Sequence, residues 1–343
     1  MANIMVLGAG GFGISLAVTL NKYGHNVCMW SAVPSEIEEI RLHGENRKLL
    51  PGIAVDFSIE LTTAIEKAKD CELIIFAVAS KFVREVALKV KPYVTRDTIL
   101  VNVAKGFEES TMLHLSQVIQ SELPNNDVVV LSGPSHAEEI ARGVPTTIVA
   151  ACKNRASAQY VQDVMMNTNL RVYVNDDILG VELGGALKNI IAVCAGICDG
   201  MNLGDNTKAA LMTRGLAEIA RLGTAMGAQS ETFTGLTGVG DLIVTCMSMH
   251  SRNRRCGIFI GQGLSSEDAI ARVGMTVEGC AATKVAYQLS KKYNVDMPIV
   301  AAIYSVLYEN KDIQEAVRDL MGRPKRHESE HIWMSEKSKP LVN

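Results

Sequence analysis

The sequence predicts an α/β fold: a Rossmann-like N-terminal domain with a mainly parallel sheet, then an all-helical C-terminal domain. From residue 3 to about 175, short β-branched runs alternate with longer helix-period segments. The runs are apolar throughout, so they need cover on both faces, as the strands of a parallel sheet do. Beyond residue 177 no further run of this kind occurs. A length of 343 residues suits about two domains. With 48% hydrophobic and 21% charged residues, the chain is neither disordered nor fibrous.

Strands are expected at 4–7, 26–30, 73–78, 99–103, 128–131, 146–150 and 171–174, with helices between them at 12–23, 80–90, 110–122 and 155–166. Helix-period stretches broken by Gly, Asn and Ser follow at 178–198, 206–227, 238–248, 253–261, 265–272, 278–292, 298–309 and 312–320. The expected units are thus a Rossmann-like domain at 1–177, an all-helical domain at 178–322, and a polar tail at 323–343.

Charge and cysteine usage exclude several classes of function. Thirty-four Lys and Arg against 37 Asp and Glu leave a net charge of -3. No global positive field is available for a nucleic-acid backbone or an anionic membrane, so any anion must be bound locally. The eight cysteines are scattered without a CxxC pair and read as buried thiols of a reducing compartment. Cys194 and Cys198 stand one helical turn apart without His or carboxylate companions, and His327 and His331 share a polar tail, so no metal is expected. There is no run of about 18 uncharged apolar residues, nor a basic-then-apolar start. A soluble cytoplasmic protein with no stable membrane insertion is expected.

Gly8-Ala9-Gly10-Gly11-Phe12-Gly13 is a GxGxxG that follows a strand and opens a helix. Gly8 permits the tight turn, Gly10 lets the backbone approach a pyrophosphate, and Gly13 lets helix and strand pack closely. The pyrophosphate then meets unpaired amides at the helix start. In such a unit the second strand ends in an acidic residue to hold a ribose 2'-hydroxyl, or is followed by Arg to neutralise a 2'-phosphate. Here Trp30-Ser31-Ala32-Val33-Pro34 offers neither, which leaves NAD versus NADP open and nothing there to repel a 2'-phosphate. Both cofactors are expected to be usable.

Lys188 is the sole charge in the sixteen residues LGGALKNIIAVCAGIC at 183–198. Leu183, Leu187, Ile190, Ile191, Cys194 and Ile197 keep helical spacing, so the segment is a buried helix. On the lysine's side lie only Gly184, Gly185, Ala192 and Ala195, a bare face that suggests room for a ligand. Burial lowers a lysine's pKa from about 10.4 toward neutrality, where proton transfer is efficient. A head group reaching solvent is the alternative; Asn189 is a plausible polar partner.

Lys105-Gly106 and Gly133-Pro134-Ser135 follow strands, at the ends where open α/β sheets bind ligands; surface turns are the plainer reading of each alone. Asp241, after the glycine-dense 235–240, either caps a helix or pairs with a lysine. Ser251-Arg252-Asn253-Arg254-Arg255 places a capping serine and three arginines at a helix start, which suits a phosphate dianion, although a solvated basic turn has the same composition.

The chain resembles the bacterial-type NAD(P)-dependent sn-glycerol-3-phosphate dehydrogenases through GAGGFG (8–13), VAKG (103–106), LSGPSHAEEIARGVPT (131–146), the block at 182–219, GLTGVGDLIVTC (235–246), SRNRR (251–255) and VEG (277–279). The resemblance implies hydride transfer between C2 of sn-glycerol 3-phosphate and NAD(P), forming dihydroxyacetone phosphate, and a role in glycerophospholipid synthesis. It implies that Lys188 accepts the proton and that Lys105, Gly133, Ser135, Asp241, Ser251, Arg252 and Asn253 bind substrate. Gly11, Phe12, Lys105, Ala137, Arg252, Val277 and Glu278 match cofactor positions. A homodimer is expected on the same ground. Phe12 stands where tryptophan is common and His136 where another aromatic is usual, changes expected to affect packing alone; Ser31-Ala32 stand where a basic residue is frequent.

Overall fold

A computed structural model describes residues 1–325 and Glu328. The rest of the tail expected at 323–343, with His327 and His331, lies outside the described residues.

In chain order the N-terminal half contains β1 (Asn3–Leu7), α1 (Gly11–Lys22), β2 (Asn26–Trp30), α2 (Pro34–His43), β3 (Glu60–Thr62), β4 (Leu73–Phe76), α3 (Val83–Val90), β5 (Ile99–Asn102), β6 (Phe107–Glu108), β7 (Leu113–His114), α4 (Leu115–Glu122), β8 (Val128–Ser132), α5 (Ala137–Ala141), β9 (Thr146–Ala151), α6 (Arg155–Met165) and β10 (Leu170–Asn175). Six strands run parallel in the order β3-β2-β1-β4-β5-β8. At β9 the direction reverses, and β10 pairs parallel with β9. The strand order changes direction between β1 and β4, so the crevice at their carboxyl ends is where a doubly wound sheet takes its ligand.

The uniform apolarity of the strands has its expected cause. Ile4 and Val6 of β1 join a core that includes Ile14, Leu16 and Leu20 of α1 and Val161 of α6. Met5 and Leu7 join a separate core on the opposite face with Val83, Val86 and Val90 of α3 and Val118 of α4. Side chains alternate across a strand, so a strand apolar at every position is one covered on both faces.

Several boundaries depart from the sequence reading. Residues 110–114 are not helical: β6 and β7 pair antiparallel around a turn in which Met112 takes a φ of 59°. Helix α4 begins only at Leu115, where Glu182, 66 positions later, accepts from the Ser116 amide at 2.8 Å and hydroxyl at 2.6 Å. A start signal supplied from so far along the chain has no local trace. The expected helix at 80–90 opens as a 3-10 turn, Ser80–Phe82. Helix α2 was not expected because it buries only Ile37 and Ile40 beneath a polar surface; β3 and α5 were too short to leave a period.

The C-terminal half is helical: α7 (Ile178–Gly200), α8 (Gly204–Ala225), α9 (Ser230–Phe233), α10 (Asp241–Met247), α11 (Arg252–Gly261), α12 (Ser266–Val273), α13 (Glu278–Lys292), α14 (Pro298–Tyr308) and α15 (Ile313–Met321). Helix α7 is its axis, with 19 of 23 residues buried. By length and composition α7 is apolar enough to cross a membrane, yet its apolar stretch is almost wholly covered by other parts of the protein, as befits a core helix.

Glycines bring α7 and α11 together backbone to backbone. A Cβ on Gly257 would lie 2.0 Å from the Val193 carbonyl oxygen, and one on Gly196 would lie 2.0 Å from that of Arg254. This crossing fixes the first turn of α11 beside the middle of α7.

Candidate active site

Lys188 is 5% exposed, and its Nζ donates to Asp241 Oδ1 and, at 2.5 Å, to Thr245 Oγ1. The partners therefore come from α10; Asn189, expected as one, is used elsewhere. Thr245 Oγ1 in turn donates to the Asp241 carbonyl at 2.6 Å, one helical turn back. The other Asp241 carboxylate oxygen accepts from Lys105 Nζ at 2.7 Å. Lys105 also donates to the Gly133 carbonyl at 3.0 Å and contacts Ser135 Oγ at 3.4 Å. One buried carboxylate thus joins a lysine from each half of the chain, which resolves the two readings of Asp241 in favour of pairing.

Burial pushes the Lys188 ammonium down to about 7, although Asp241 pulls it back toward its ordinary value. Burial alone would raise the Asp241 carboxyl; the ammonium groups of Lys105 and Lys188 override it and hold Asp241 below the usual carboxylate range. The site therefore keeps an anion fixed while a lysine proton exchanges near neutral pH.

The bare side of α7 is not an open groove. A Cβ on Gly184 would come 2.7 Å from the Thr237 carbonyl oxygen and one on Gly185 2.6 Å from Ser132 Oγ. The small residues admit the turn at 236–240 and the end of β8, and that approach is what sets Asp241 against Lys188.

Helix α11 sorts the three arginines. Ser251 Oγ caps the helix by accepting from Arg254 N at 3.2 Å. Arg254 is committed to Asp199 at 2.7 Å and to the Met247 carbonyl at 2.6 Å, so it is unavailable to a ligand. Arg252 has no hydrogen bond or ion pair among the described residues. Burial lowers its pKa and Arg255 adds to that, while Glu278 and Glu138 oppose it, so an incoming anion would satisfy it. Asn253 donates to Asn189 Oδ1 and accepts from Gly279 N, both at 2.9 Å, which ties α11 to α7 and α13.

The cradle at β1–α1 fits a dinucleotide. Gly8 has a φ of +125°, with the Ala77 carbonyl oxygen 2.6 Å from where a Cβ would stand. A Cβ on Gly13 would lie 2.1 Å from the Gly8 carbonyl oxygen, so the helix sits directly on the turn, whereas one on Gly10 would meet nothing within 4 Å. No side chain caps α1, which leaves its first amides for an anion. Phe12 packs on the sheet core.

A chain of contacts leads from this cradle to Lys188. Ala137 stands beside Gly11, 3.9 Å from where its Cβ would be. Two residues earlier, Ser135 reaches Lys105, and Lys105 reaches Asp241. Val277 precedes α13, and Glu278 in its first turn accepts from Ser80 Oγ at 2.6 Å and Ser80 N at 3.1 Å, across 198 positions. His136 is half-buried; burial and the Lys188 charge lower its pKa, and its ring lies 5.7 Å from that of His250.

Sequence reasoning missed Thr245 and Ser80. Thr245 had a signal, since it lies four residues after Asp241 and so on the same helix face. Ser80 had none, because its partner is on the other half of the chain.

Residues 3–158 match the family described as NAD-dependent glycerol-3-phosphate dehydrogenase N-terminus, and residues 177–318 match the C-terminus of the same family. The chain is 50% identical over 331 residues to glycerol-3-phosphate dehydrogenase [NAD(P)+] of Fusobacterium nucleatum, covering 96% of this chain and 99% of that one. It is 50% identical over 336 residues to the enzyme of the same name from Bacillus subtilis, covering 97% of each. The solved glycerol-3-phosphate dehydrogenase of Coxiella burnetii superposes with a TM-score of 0.90 at 35% identity, covering 94% of this chain and 99% of that one. A D-mandelate dehydrogenase solved with NADH and anilino(oxo)acetate shares the fold alone, with a TM-score of 0.65 at 15% identity over 92% of this chain and 99% of that one.

Proposed function

This chain belongs to the NAD-dependent glycerol-3-phosphate dehydrogenases, and from that premise we propose that Lys188 moves the proton in its reaction. The enzyme is an oxidoreductase that interconverts glycerol 3-phosphate and dihydroxyacetone phosphate with NAD or NADP. A nicotinamide cofactor held at residues 8–13 would supply the hydride-transfer chemistry for C2 of the substrate. In oxidation the neutral Lys188 amine takes the proton from the C2 hydroxyl; in reduction its ammonium returns a proton to the carbonyl oxygen. Asp241 and Thr245 aim the amine, and Lys105 balances the charge on Asp241. Arg252, with Ser251 and Asn253 at the start of α11, holds the phosphate, and this remote contact orients the reacting carbon. Gly133 and Ser135 complete the substrate side, while residues 8–13, Ala137, Val277 and Glu278 hold the cofactor.

The observation that carries this reading is a buried lysine, poised near neutrality, whose carboxylate partner also touches Lys105. The same reading takes 1–177 as the cofactor unit and 178–322 as the substrate unit. It takes the protein as cytoplasmic, without stable membrane insertion, homodimeric as the family resemblance suggests, and supplying glycerol 3-phosphate for phospholipid synthesis.

The test is reduction of dihydroxyacetone phosphate followed by cofactor absorbance, alongside a panel of keto acids. Turnover of the phosphate alone is expected; turnover of keto acids alone overturns the substrate. Lys188→Ala is expected to lower kcat by about 10²- to 10⁴-fold while cofactor binding persists. Full activity in that variant overturns the role of Lys188.

A further inference from the structure

The end of β2 carries a carboxylate that the sequence of that strand lacks. Ser31, the next residue, is buried; its Oγ donates to Glu36 Oε2 at 2.6 Å and accepts from Val33 N at 3.1 Å. Glu36 sits in the first turn of α2, the helix that local periodicity did not reveal, with Pro34 at its start. Ser31 lies 18 residues past Gly13. In nucleotide-binding βαβ units the group that meets the adenosine ribose stands about 20 residues past the glycines. Gly8 N donates to the Trp30 carbonyl at 2.8 Å, so the glycine turn and the end of β2 are joined directly.

Among the described residues Glu36 has no ion-pair partner. Ala32 and Val33 are apolar, and Arg41 donates to the Leu61 carbonyl at 2.5 Å. The Leu49 carbonyl oxygen, just after Arg47 and Lys48, lies 2.8 Å from where a Cβ on Gly11 would stand, which sets that segment against the glycine turn. A carboxylate held by a buried serine accepts a hydrogen bond from a ribose 2'-hydroxyl and repels a 2'-phosphate.

We propose that Glu36, fixed by Ser31, makes this enzyme prefer NAD(H) to NADP(H). The proposal rests on residues 8–13 cradling a dinucleotide, and it adds to the end of β2 a carboxylate supplied by α2.

The test is direct binding of NADH and of NADPH to the substrate-free protein by fluorescence titration, for the wild type, Glu36→Gln and Glu36→Lys. The wild type is expected to bind NADH at least about tenfold more tightly. Glu36→Gln is expected to tighten NADPH about tenfold and change NADH less than about threefold, and Glu36→Lys to invert the preference. Unchanged thermal midpoints verify that both variants fold, and failure of one leaves the other to decide. Equal wild-type affinities, or a preference unmoved by either variant, overturn the proposal while leaving the dehydrogenase assignment intact. Binding of neither cofactor overturns the cradle and the proposal together.

Discussion

Asp241 is 1% exposed and bears two ammonium groups, one on each carboxylate oxygen. Removing its charge should therefore move the chemistry more than the fold. Burial sets the Lys188 ammonium near 7, and Asp241 is the largest influence holding it that high. In Asp241→Asn the pKa falls further. Carbonyl reduction needs the ammonium, so its rate falls as pH rises through the Lys188 pKa, and in the variant this limb moves to lower pH. Alcohol oxidation needs the neutral amine, so its rising limb shifts the same way. A kcat for reduction lowered about 10- to 100-fold at pH 7.5, with both limbs displaced downward, is expected from pH-rate profiles; unmoved limbs would show that Asp241 does not set the lysine. Lys188 was legible because a lone charge in an apolar helix needs a reason. Its partner stayed open because a glycine-rich turn does not announce which helix it will meet.

At the scale of elements, the position of the phosphate-side residues depends on two helices touching through glycine. Gly257→Ala puts a methyl 2.0 Å from the Val193 carbonyl oxygen, a contact that backbone must move to relieve. A loss of about 1–3 kcal/mol in denaturant unfolding is expected, together with a raised KM for dihydroxyacetone phosphate as the α11 start withdraws from α7. Unaltered stability would show that the crossing yields freely. The spacing of Gly196 with Gly200, and of Gly257 with Gly261, four apart on two helices, was present in the sequence. Each glycine there reads first as a helix breaker, since only the partner helix reveals it as a contact. Helix α2 was hidden for the opposite reason: a helix that buries two side chains leaves almost no apolar period.

At the scale of the whole molecule, the two halves are fastened by carboxylates placed far along the chain from the groups they hold. Glu182 of α7 receives Ser116 and, at 3.3 Å, the buried Asn102 side chain. Glu278 of α13 receives Ser80. Ser80→Ala removes one of these bonds and is expected to cost about 1 kcal/mol of stability. It should raise the KM for cofactor several-fold with kcat nearly unchanged, because Glu278 lies close to the Arg252 charge. Ser80→Thr should restore both, and a fall in kcat at constant KM would contradict this positioning role. The sheet and its order were legible in the strands; how the halves fasten was not, because such bonds join residues that no local pattern links.

The axial position of α7 also governs how the protein is born. The helices that cover it, α8, α11 and α13, are all translated after it, and 92 residues separate Gly200 from Lys292. At about 5–20 residues per second, a nascent chain holds this oily rod uncovered for roughly 5–20 s. Co-expression of a holding chaperone is therefore expected to raise the share of protein recovered in the supernatant, which a comparison of supernatant and pellet checks.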